Sequence, residues 1–393
     1  MTLRRYLFLF LLGLGAALAV AAFQHTPGYM DADYYYAGGL RLAQGQGLSE
    51  PFLWNYLDDP AGLPHPSHAY WMPLASFLAA AGMLVTRAVG FDSGRLGFVL
   101  VAGSLPPLTA LLAYSLTNRR DSAMLAGLLA VFPAFYLPFL PTTDNFGLYM
   151  LLGGMWLAVL GLEGRASSLQ PVALGLLAGL MHLARADGVL WLGISLLAVG
   201  FRQRRTVSSG MPPADPTLRP PSPRARILAS LALCLLGYLL IMGPWMLRNL
   251  AAFGSLLAPG GGRALWVTQY DELFAYPASL LTPAHWWGAG LGSLLRARLA
   301  AFGQTLESAF AVQGQIFLSP LVLLGFWRMR QDSRVRWGGL AWLITFLALT
   351  LAFPYQGARG GFFHSGAAVQ PLIWALVPVG LEAFIGWGQR RRG

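Results

Sequence analysis

Long, almost uninterrupted runs of apolar residues recur along this chain of 393 residues. Most are close to 20 residues long, the length of helix that crosses a hydrocarbon layer of about 30 Å. Backbone polar groups must be satisfied within their own segment in lipid, so each run is expected to be a helix. We predict an all-α polytopic membrane protein with about ten transmembrane helices, at residues 6–23, 94–116, 122–140, 146–162, 171–184, 188–201, 227–245, 316–327, 337–353 and 366–387.

The positions of the arginines predict an orientation for these helices. All 27 basic residues are arginine, and most of them lie in alternate connections between the apolar runs. Positively charged connections stay on the cytoplasmic side of a membrane, so both chain ends are predicted to be cytoplasmic. The connection at 202–226 is rich in proline, serine and arginine, and a disordered cytoplasmic loop is predicted there. The protein is expected in the inner (plasma) membrane.

Two long connections are predicted to lie on the outer face, at residues 24–93 and 246–315. The apolar stretch at 70–85 is short, begins near Pro73 and ends near Arg87, so we interpret it as a helix lying at the interface rather than as a span. A second interfacial helix is predicted where Arg296, Arg298 and Glu307 interrupt leucines and alanines. The first apolar run resembles a cleavable signal sequence in its flanks, but its length favours a retained anchor.

Composition excludes an ordinary soluble protein, because 56% of residues are hydrophobic, 11% are charged and the mean hydropathy is +0.54. A net charge of +11 would suit nucleic-acid binding, but the charge follows the predicted topology, so no nucleic-acid partner is predicted. The single cysteine, Cys234, lies in an apolar run and cannot form a disulfide within the chain. The chain has neither a lysine for a Walker-type loop nor a Gly-rich nucleotide motif.

Asp31 and Asp33, in GYMDADYYYAGG, follow the first apolar run directly. A carboxylate held at a partly desolvated boundary can have its pKa raised into the range useful for a general base. The alternative is helix capping, because an aspartate at a helix start accepts backbone N–H bonds and complements the helix dipole. A catalytic role is predicted for this pair.

Further ionisable residues are predicted on the same outer face. Asp144, in PTTDNF, ends the third predicted span and either positions a substrate or caps the next helix. Arg185 and Asp187, in LARADG, interrupt a stretch that is otherwise apolar, where ionisable groups are costly and usually functional or paired. Arginine suits a phosphate by its bidentate geometry, with Asp187 as a supporting residue. The alternative is an arginine that extends to the interface and an aspartate that caps a helix.

Three more residues are candidates for binding the phosphate or sugar of a donor. His65 and His68 lie in the first external connection, where polar loop residues are the alternative, and two histidines three apart are weak evidence for a metal. Arg248 follows the span at 227–245 and either binds phosphate or anchors the helix beside Trp245. No metal or other cofactor is predicted. Other polar residues of the external connections are unplaced candidates: Arg263, Tyr270, Asp271, Glu272, His285, Arg359 and His364.

In their order along the chain, these motifs resemble those of the GT-C superfamily of membrane glycosyltransferases, especially protein O-mannosyltransferases and lipid A aminoarabinose transferases. The resemblance covers roughly residues 6–254. Ala32 separates two acids that are adjacent in many members, which leaves open which one is the base; Asp31 is favoured. The matching elements are Asp31-Ala32-Asp33-Tyr34, Pro64-His65-Pro66 before Tyr70-Trp71, Asp144, Arg185-Ala186-Asp187-Gly188, and Pro244 to Gly254.

The resemblance implies a single GT-C-like domain over residues 1–393. It also implies an inverting transferase that moves a hexose or pentose from a polyprenyl-phosphate carrier to a lipid, glycan or protein acceptor at the outer face. Asp31 would deprotonate the acceptor, with Asp33 and Asp144 positioning substrates, while Arg185 and Arg248 would neutralise the departing phosphate. The alternatives are a transporter or flippase for a lipid-linked glycan, and a non-catalytic GT-C-like scaffold. An enzyme predicts that Asp31, Asp144, Arg185 and Arg248 converge on one external cavity.

Overall fold

The computed structural model describes residues 1–162, 169–208 and 222–391, and these residues are mostly helical. Short 3-10 and π segments join the longer helices, and the sheet consists of two short strands. The α-helices are α1 (Leu3–Ala21), α2 (Met30–Ala43), α3 (Leu74–Thr86), α4 (Phe91–Gly94), α5 (Leu96–Thr117), α6 (Arg120–Val131), α7 (Phe146–Leu160), α8 (Leu169–Ala184), α9 (Val189–Ser208), α10 (Pro223–Phe253), α11 (Pro259–Arg263), α12 (Pro283–Gly288), α13 (Leu291–Glu307), α14 (Ser319–Met329), α15 (Ser333–Leu347), α16 (Pro354–Gln356), α17 (Phe362–Gly366) and α18 (Gln370–Arg390).

Helices that could cross a membrane occur throughout the described residues, as the apolar runs predict. The helices α3, α7 and α8 are apolar but shorter. The count of about ten spans and their orientation stay predictions. In the described part of the chain, five helical stretches are long and apolar enough to span: Leu3–Ala21, Phe91–Thr117, Pro223–Phe253, Ser333–Ala352 and Pro354–Arg390.

The span predicted at 122–140 is not one continuous helix. Helix α6 ends at Val131, and a separate 3-10 segment, Ala134–Phe139, follows Pro133. A proline lacks the N–H that would continue the ladder and clashes with the preceding turn, and this segment contains a second proline at 138. The prediction of an unbroken span is therefore wrong at its C-terminal half.

Two predicted loop boundaries are also wrong. Helix α9 continues to Ser208 and α10 begins at Pro223, so both ends of the loop predicted at 202–226 are helical; residues 209–221 lie outside the described residues. The start of α10 is fixed by Ser222, whose hydroxyl accepts a hydrogen bond from the N–H of Ala225 at 3.2 Å. At its other end α10 continues through Arg248 to Phe253, which removes residues 246–253 from the predicted external loop.

The first predicted external connection folds into a small cap. Strands β1 (Ser49–Glu50) and β2 (His65–Pro66) pair antiparallel, with Glu50 opposite His65. The helix expected at 70–85 is present as α3, and α2 packs closely on it: a Cβ at Gly39 would stand 2.6 Å from that of Ala79. A position of α3 at the membrane interface stays a prediction.

Helix ends meet where the candidate residues lie. Helix α7 begins two residues after Asp144, and α8 ends immediately before Arg185. Helices α8 and α10 approach closely through glycines, because a Cβ at Gly175 would overlap the carbonyl of Cys234. Small residues at such crossings let apolar helices pack backbone to backbone. The packing thereby sets the position of Arg185 against α10.

Candidate active site

Three ionisable side chains from distant parts of the chain form one cluster. Asp31 lies in the first turn of α2, Asp144 precedes α7, and His364 lies in α17. One ligand atom from each residue lies within 4.8 Å of the others, and His364 Nε2 is 3.6 Å from Asp31 Oδ2. The cluster joins two predicted site residues with one that was an unplaced candidate.

The segment PTTDN (residues 141–145) holds the start of α2 through a series of hydrogen bonds. The hydroxyl of Thr143 donates to the carbonyl of Ala32 at 2.8 Å, and the amide of Asn145 donates to the Tyr35 hydroxyl at 3.1 Å. The Tyr29 hydroxyl donates to Asp144 Oδ2 at 2.6 Å. Asp144 is therefore oriented by the residues that fix α2, and both carboxylates keep a defined separation.

Burial makes the negative charges of the cluster costly. It raises the pKa of Asp31 to about 7, with the nearby negative charge of Asp144 adding to the rise and the charge of Arg185 opposing it. Burial also raises the pKa of Asp144 to about 6, against hydrogen bonds from Tyr29 and the Asn145 N–H that favour the carboxylate. Two acidic groups near neutrality can exchange protons or bind a cation.

Asp33 lies on the opposite side of α2 from this cluster. Its side chain is exposed, whereas Ala32 and Tyr35 on the packed side are buried. Residues two apart in a helix point about 200° away from each other, so the two acids cannot face one site. The structure brings Asp31 to the cluster and leaves Asp33 outside it.

Arg185 stands between two cavities. The first, called the apolar cavity, has a volume of about 370 Å³. The second, called the polar cavity, has about 110 Å³ and contains Asp31 and His364 in its wall. Arg185 lines both and is held by Asp187, with 2.9 Å between Nε and Oδ1. Further lining residues of the apolar cavity include Met72, Leu190, Met242, Trp245, Leu349 and Phe353, and those of the polar cavity include Trp54, Asn55, Tyr270, Phe274 and Arg359.

The two predicted histidines of the first external connection have structural partners instead. His65 lies between Asp58 and Glu50, at 3.1 and 3.0 Å, and hydrogen bonds to these acids raise its pKa to about 10. His68 is fully buried, and burial with the charge of Arg248 lowers its pKa to about 3. Neither lines either cavity, so the structure does not bring them to the cluster.

Arg248 braces the first external connection against α10. Its guanidinium donates to the carbonyls of Leu48 and Ser67 at 3.2 and 2.8 Å. It also lies over the rings of Trp245 and Phe253, at 4.8 and 5.0 Å from their centroids. Of the four residues expected to converge, Asp31, Asp144 and Arg185 lie together, whereas Arg248 lies outside the lining of both cavities.

The last external connection supplies site residues that the sequence could not rank. His364 completes the acidic cluster, and its ring stacks on Phe146 with centroids 3.8 Å apart. Arg359 lines the polar cavity with its guanidinium 4.6 Å from the Tyr270 ring centroid. The signal available in the sequence was the set of polar residues in this connection, which gave no order of importance.

The described fold is similar to that of two solved structures of one archaeal enzyme. The first is the oligosaccharyltransferase AglB from Archaeoglobus fulgidus in complex with an inhibitory peptide and a dolichol-phosphate, at TM-score 0.52 and 16% identity over 95% of this chain and 50% of that chain. The second is the oligosaccharyltransferase of the same organism in complex with Zn and sulfate, at TM-score 0.51 and 14% identity, covering 96% and 51%. The arrangement of helices in this chain is therefore similar to that of these membrane oligosaccharyltransferases.

This similarity in fold agrees with the resemblance inferred from the motifs. The chain spans about half the length of the AglB structures it matches. No protein-family model matches the sequence, and no curated protein does so. The similarity therefore rests on the arrangement of helices alone.

The donor set of the cluster suits a divalent cation. Asp31, Asp144 and His364 are the group of potential ligands that the described residues bring within mutual reach. Two carboxylates and an imidazole match the ligand preference of ions such as Mn²⁺ or Zn²⁺. Such an ion would also offset the burial of two acids beside one another. One ligand atom from each residue suffices, which leaves the second oxygen of Asp31 for other contacts.

Proposed function

We propose that this protein is a membrane glycosyltransferase that takes a sugar from a polyprenyl-phosphate carrier. One observation carries the proposal: Arg185 stands where an apolar cavity meets a polar cavity containing Asp31. A lipid-linked sugar has its parts in the same order: an apolar chain for the apolar cavity, a phosphate for Arg185 and a polar sugar ring for the polar cavity. The acceptor is proposed to be a lipid, a glycan or a protein, at the outer face of the cell membrane.

The donor would place its parts in the two cavities. The first isoprene units would occupy the apolar cavity beside Met242 and Trp245, and the sugar would lie in the polar cavity beside Trp54. The phosphate would then lie at Arg185, whose fork of N–H donors matches phosphate oxygens. The dolichol-phosphate in the AglB complex supports a lipid phosphate as the ligand of this fold.

The chemistry proposed is a single displacement at the anomeric carbon. The acceptor oxygen or nitrogen forms a bond to that carbon while the bond to the phosphate oxygen breaks, which inverts the configuration. Asp31 takes the acceptor proton through the carboxylate oxygen that a bound cation would leave free. Its pKa of about 7 is that of the carboxyl without an ion, and a cation at the cluster would lower it. The phosphate leaves with the bonding electrons, and Arg185 neutralises the charge that develops there.

Asp144 and His364 hold Asp31 in position in this proposal. A divalent cation bound by the three residues would supply Lewis-acid stabilisation of the phosphate. Asp187 keeps the Arg185 guanidinium in place through its 2.9 Å contact. The roles predicted from sequence for Asp33, His65, His68 and Arg248 have no contact with either cavity to support them.

The proposal is tested with purified protein in nanodiscs. A panel of decaprenyl-phosphate sugars is offered with acceptor extracts, and donor loss is measured by mass spectrometry. We expect wild type to consume one donor, and Asp31→Asn to lower the rate by about 100-fold or more, as the loss of a general base does. Asp92→Asn is the control, because its side chain is 85% exposed beside Arg95 and remote from both cavities.

The alternatives give different outcomes. A transporter would move a lipid-linked sugar between leaflets without consuming it, and Asp31→Asn would change flux rather than chemistry. A scaffold would neither consume nor move the donor. Donor consumption that survives Asp31→Asn at the wild-type rate would contradict the base assigned here.

A further inference from the structure

Gln356 has a buried amide group that lacks hydrogen-bond partners. It is the last residue of α16, and it lines both the apolar and the polar cavity. By distance and angle, neither its Oε1 nor its Nε2 makes a hydrogen bond within the described part of the chain. The Tyr70 hydroxyl lies nearby, and its interaction with the Gln356 amide lowers the pKa of Tyr70 against the rise that burial causes. Among the residues that the structure describes, four line both cavities: Gln356, Arg185, Tyr70 and Trp71.

The backbone around Gln356 is packed tightly, which fixes where its side chain can go. A Cβ at Gly357 would overlap the carbonyl of Leu349, and a Cβ at Gly361 would stand 2.6 Å from the carbonyl oxygen of Gln356 itself. Gly360 has a φ of +90°, a conformation that side-chain-bearing residues rarely adopt. The turn after α16 is thus built from glycines at close approaches, and Gln356 is held at the junction of the cavities.

An unpartnered amide is unfavourable in a purely structural position. Burying a polar group without a hydrogen bond costs free energy, whereas an apolar side chain of similar shape has no such cost. Methionine would fill the same space at this position. A glutamine that only fills space here would therefore be less stable than methionine. A glutamine whose amide binds a polar ligand would recover the cost of its burial.

We infer that Gln356 binds the phosphate ester of the lipid donor together with Arg185. Its Nε2 donates a hydrogen bond to a phosphate oxygen at the junction, and its Oε1 accepts one from a hydroxyl of the sugar in the polar cavity. The inference rests on the proposed function and adds to it a residue that distinguishes a phosphorylated lipid from the free alcohol. Arg185 supplies the charge, and Gln356 supplies a donor and an acceptor in fixed directions.

The test measures binding to the full-length protein in detergent with three probes: decaprenyl phosphate, decaprenol and inorganic phosphate. We expect Gln356→Met to weaken decaprenyl phosphate binding by about 10-fold or more, since a hydrogen bond to a charged group is lost. Decaprenol binding should change by less than about two-fold, and the melting temperature should stay the same or rise. Gln356→Glu keeps the shape of the side chain but adds a negative charge. It should therefore weaken decaprenyl phosphate binding further, while its affinity for decaprenol stays that of wild type.

Gln315→Met is the matched control, because Gln315 also has an unpartnered Nε2 in the described structure but lines neither cavity. It should leave all three affinities unchanged. The inference would be overturned if Gln356→Met lost affinity equally for decaprenyl phosphate and decaprenol, or if it bound decaprenyl phosphate as tightly as wild type does. It would also be overturned if inorganic phosphate bound to wild type as tightly as decaprenyl phosphate, because the lipid chain would then contribute nothing.

These outcomes are distinct from a failure of the proposed function. If Arg185→Gln abolishes decaprenyl phosphate binding and Gln356→Met leaves it unchanged, the lipid-phosphate site is supported and the role of Gln356 is contradicted. If wild type binds decaprenyl phosphate no better than decaprenol, the proposed function itself fails.

Discussion

The helical period decides which of the two neighbouring acids can act at the cluster. Asp31 shares the packed side of α2 with Tyr35, and Asp33 is exposed on the other side. The motif identified the pair, but it could not choose between them before the direction of the helix was known. The same limit applied to His364, because a sequence gives the order of residues and not which distant connections meet.

A cation at the cluster is the first prediction at this scale. Asp31 and Asp144 are buried beside each other, so a divalent ion between them should stabilise the folded protein. Mn²⁺ at 1 mM, if it is about 100 times the dissociation constant, would add roughly 2.7 kcal/mol of stability. We expect Mn²⁺ to raise the melting temperature of wild type by several degrees and EDTA to reverse the rise.

Asp144→Asn and His364→Gln should each abolish most of this stabilisation, while Asp92→Asn should keep it. Metal content after gel filtration gives a second readout, with about one ion per chain expected in wild type. An identical response to Mn²⁺ in Asp144→Asn and wild type would show that the ion acts elsewhere.

At the scale of elements, hydropathy located the helices but not all of their ends. The span predicted at 122–140 failed at Pro133, where apolar character continues after the hydrogen-bond ladder stops. The loop predicted at 202–226 begins too early, because the helix continues after apolar character stops. The arginines that follow Phe201 are good helix formers, and α9 ends only at Ser208. Hydropathy measures affinity for lipid, whereas helix ends depend on caps and prolines.

Close packing of α8 on α10 gives the prediction at this scale. A methyl group at Gly175 would overlap the Cys234 carbonyl, and backbone cannot move aside as a flexible side chain does. Gly175→Ala should therefore cost about 1–3 kcal/mol and lower the melting temperature. Since α8 leads into Arg185 and α10 carries Met242 in the apolar cavity, decaprenyl phosphate binding should weaken in the same sample.

Gly193→Ala in the neighbouring helix α9 is the control for this substitution. A Cβ there meets nothing within 4 Å, so only the gain in helix propensity remains. Its melting temperature should equal that of wild type or exceed it. Equal behaviour of the two alanine variants would show that the α8–α10 contact is looser than described.

At the scale of the whole molecule, the cavities are products of the complete fold. The apolar cavity takes lining residues from Tyr35 at one end of the chain to Gln356 near the other. The motifs that resemble the GT-C superfamily stop near residue 254, yet Phe353, Gln356, Arg359 and His364 all line one cavity or the other. The sequence predicted the acids and Arg185 because charges are conspicuous among apolar residues. Apolar lining residues carry no such signal.

The assignment of the apolar cavity to the lipid chain gives the last prediction. Gly261 lines this cavity, and a Cβ there meets nothing within 4 Å, so a larger side chain enters open space without displacing the fold. Gly261→Leu should reduce the room for isoprene units and weaken the binding of decaprenyl phosphate by about 10-fold. This is the effect expected when one or two CH₂ groups of the lipid are no longer buried in the cavity. The short-chain analogue citronellyl phosphate should lose less affinity, because its phosphate still reaches Arg185.

Gly292→Leu on α13 is the control, because a side chain there also enters open space but lines neither cavity. It should bind both probes as wild type does. An unchanged affinity of Gly261→Leu for the long chain would place the lipid outside this cavity, and an equal loss for both probes would place the phosphate, rather than the chain, beside Gly261.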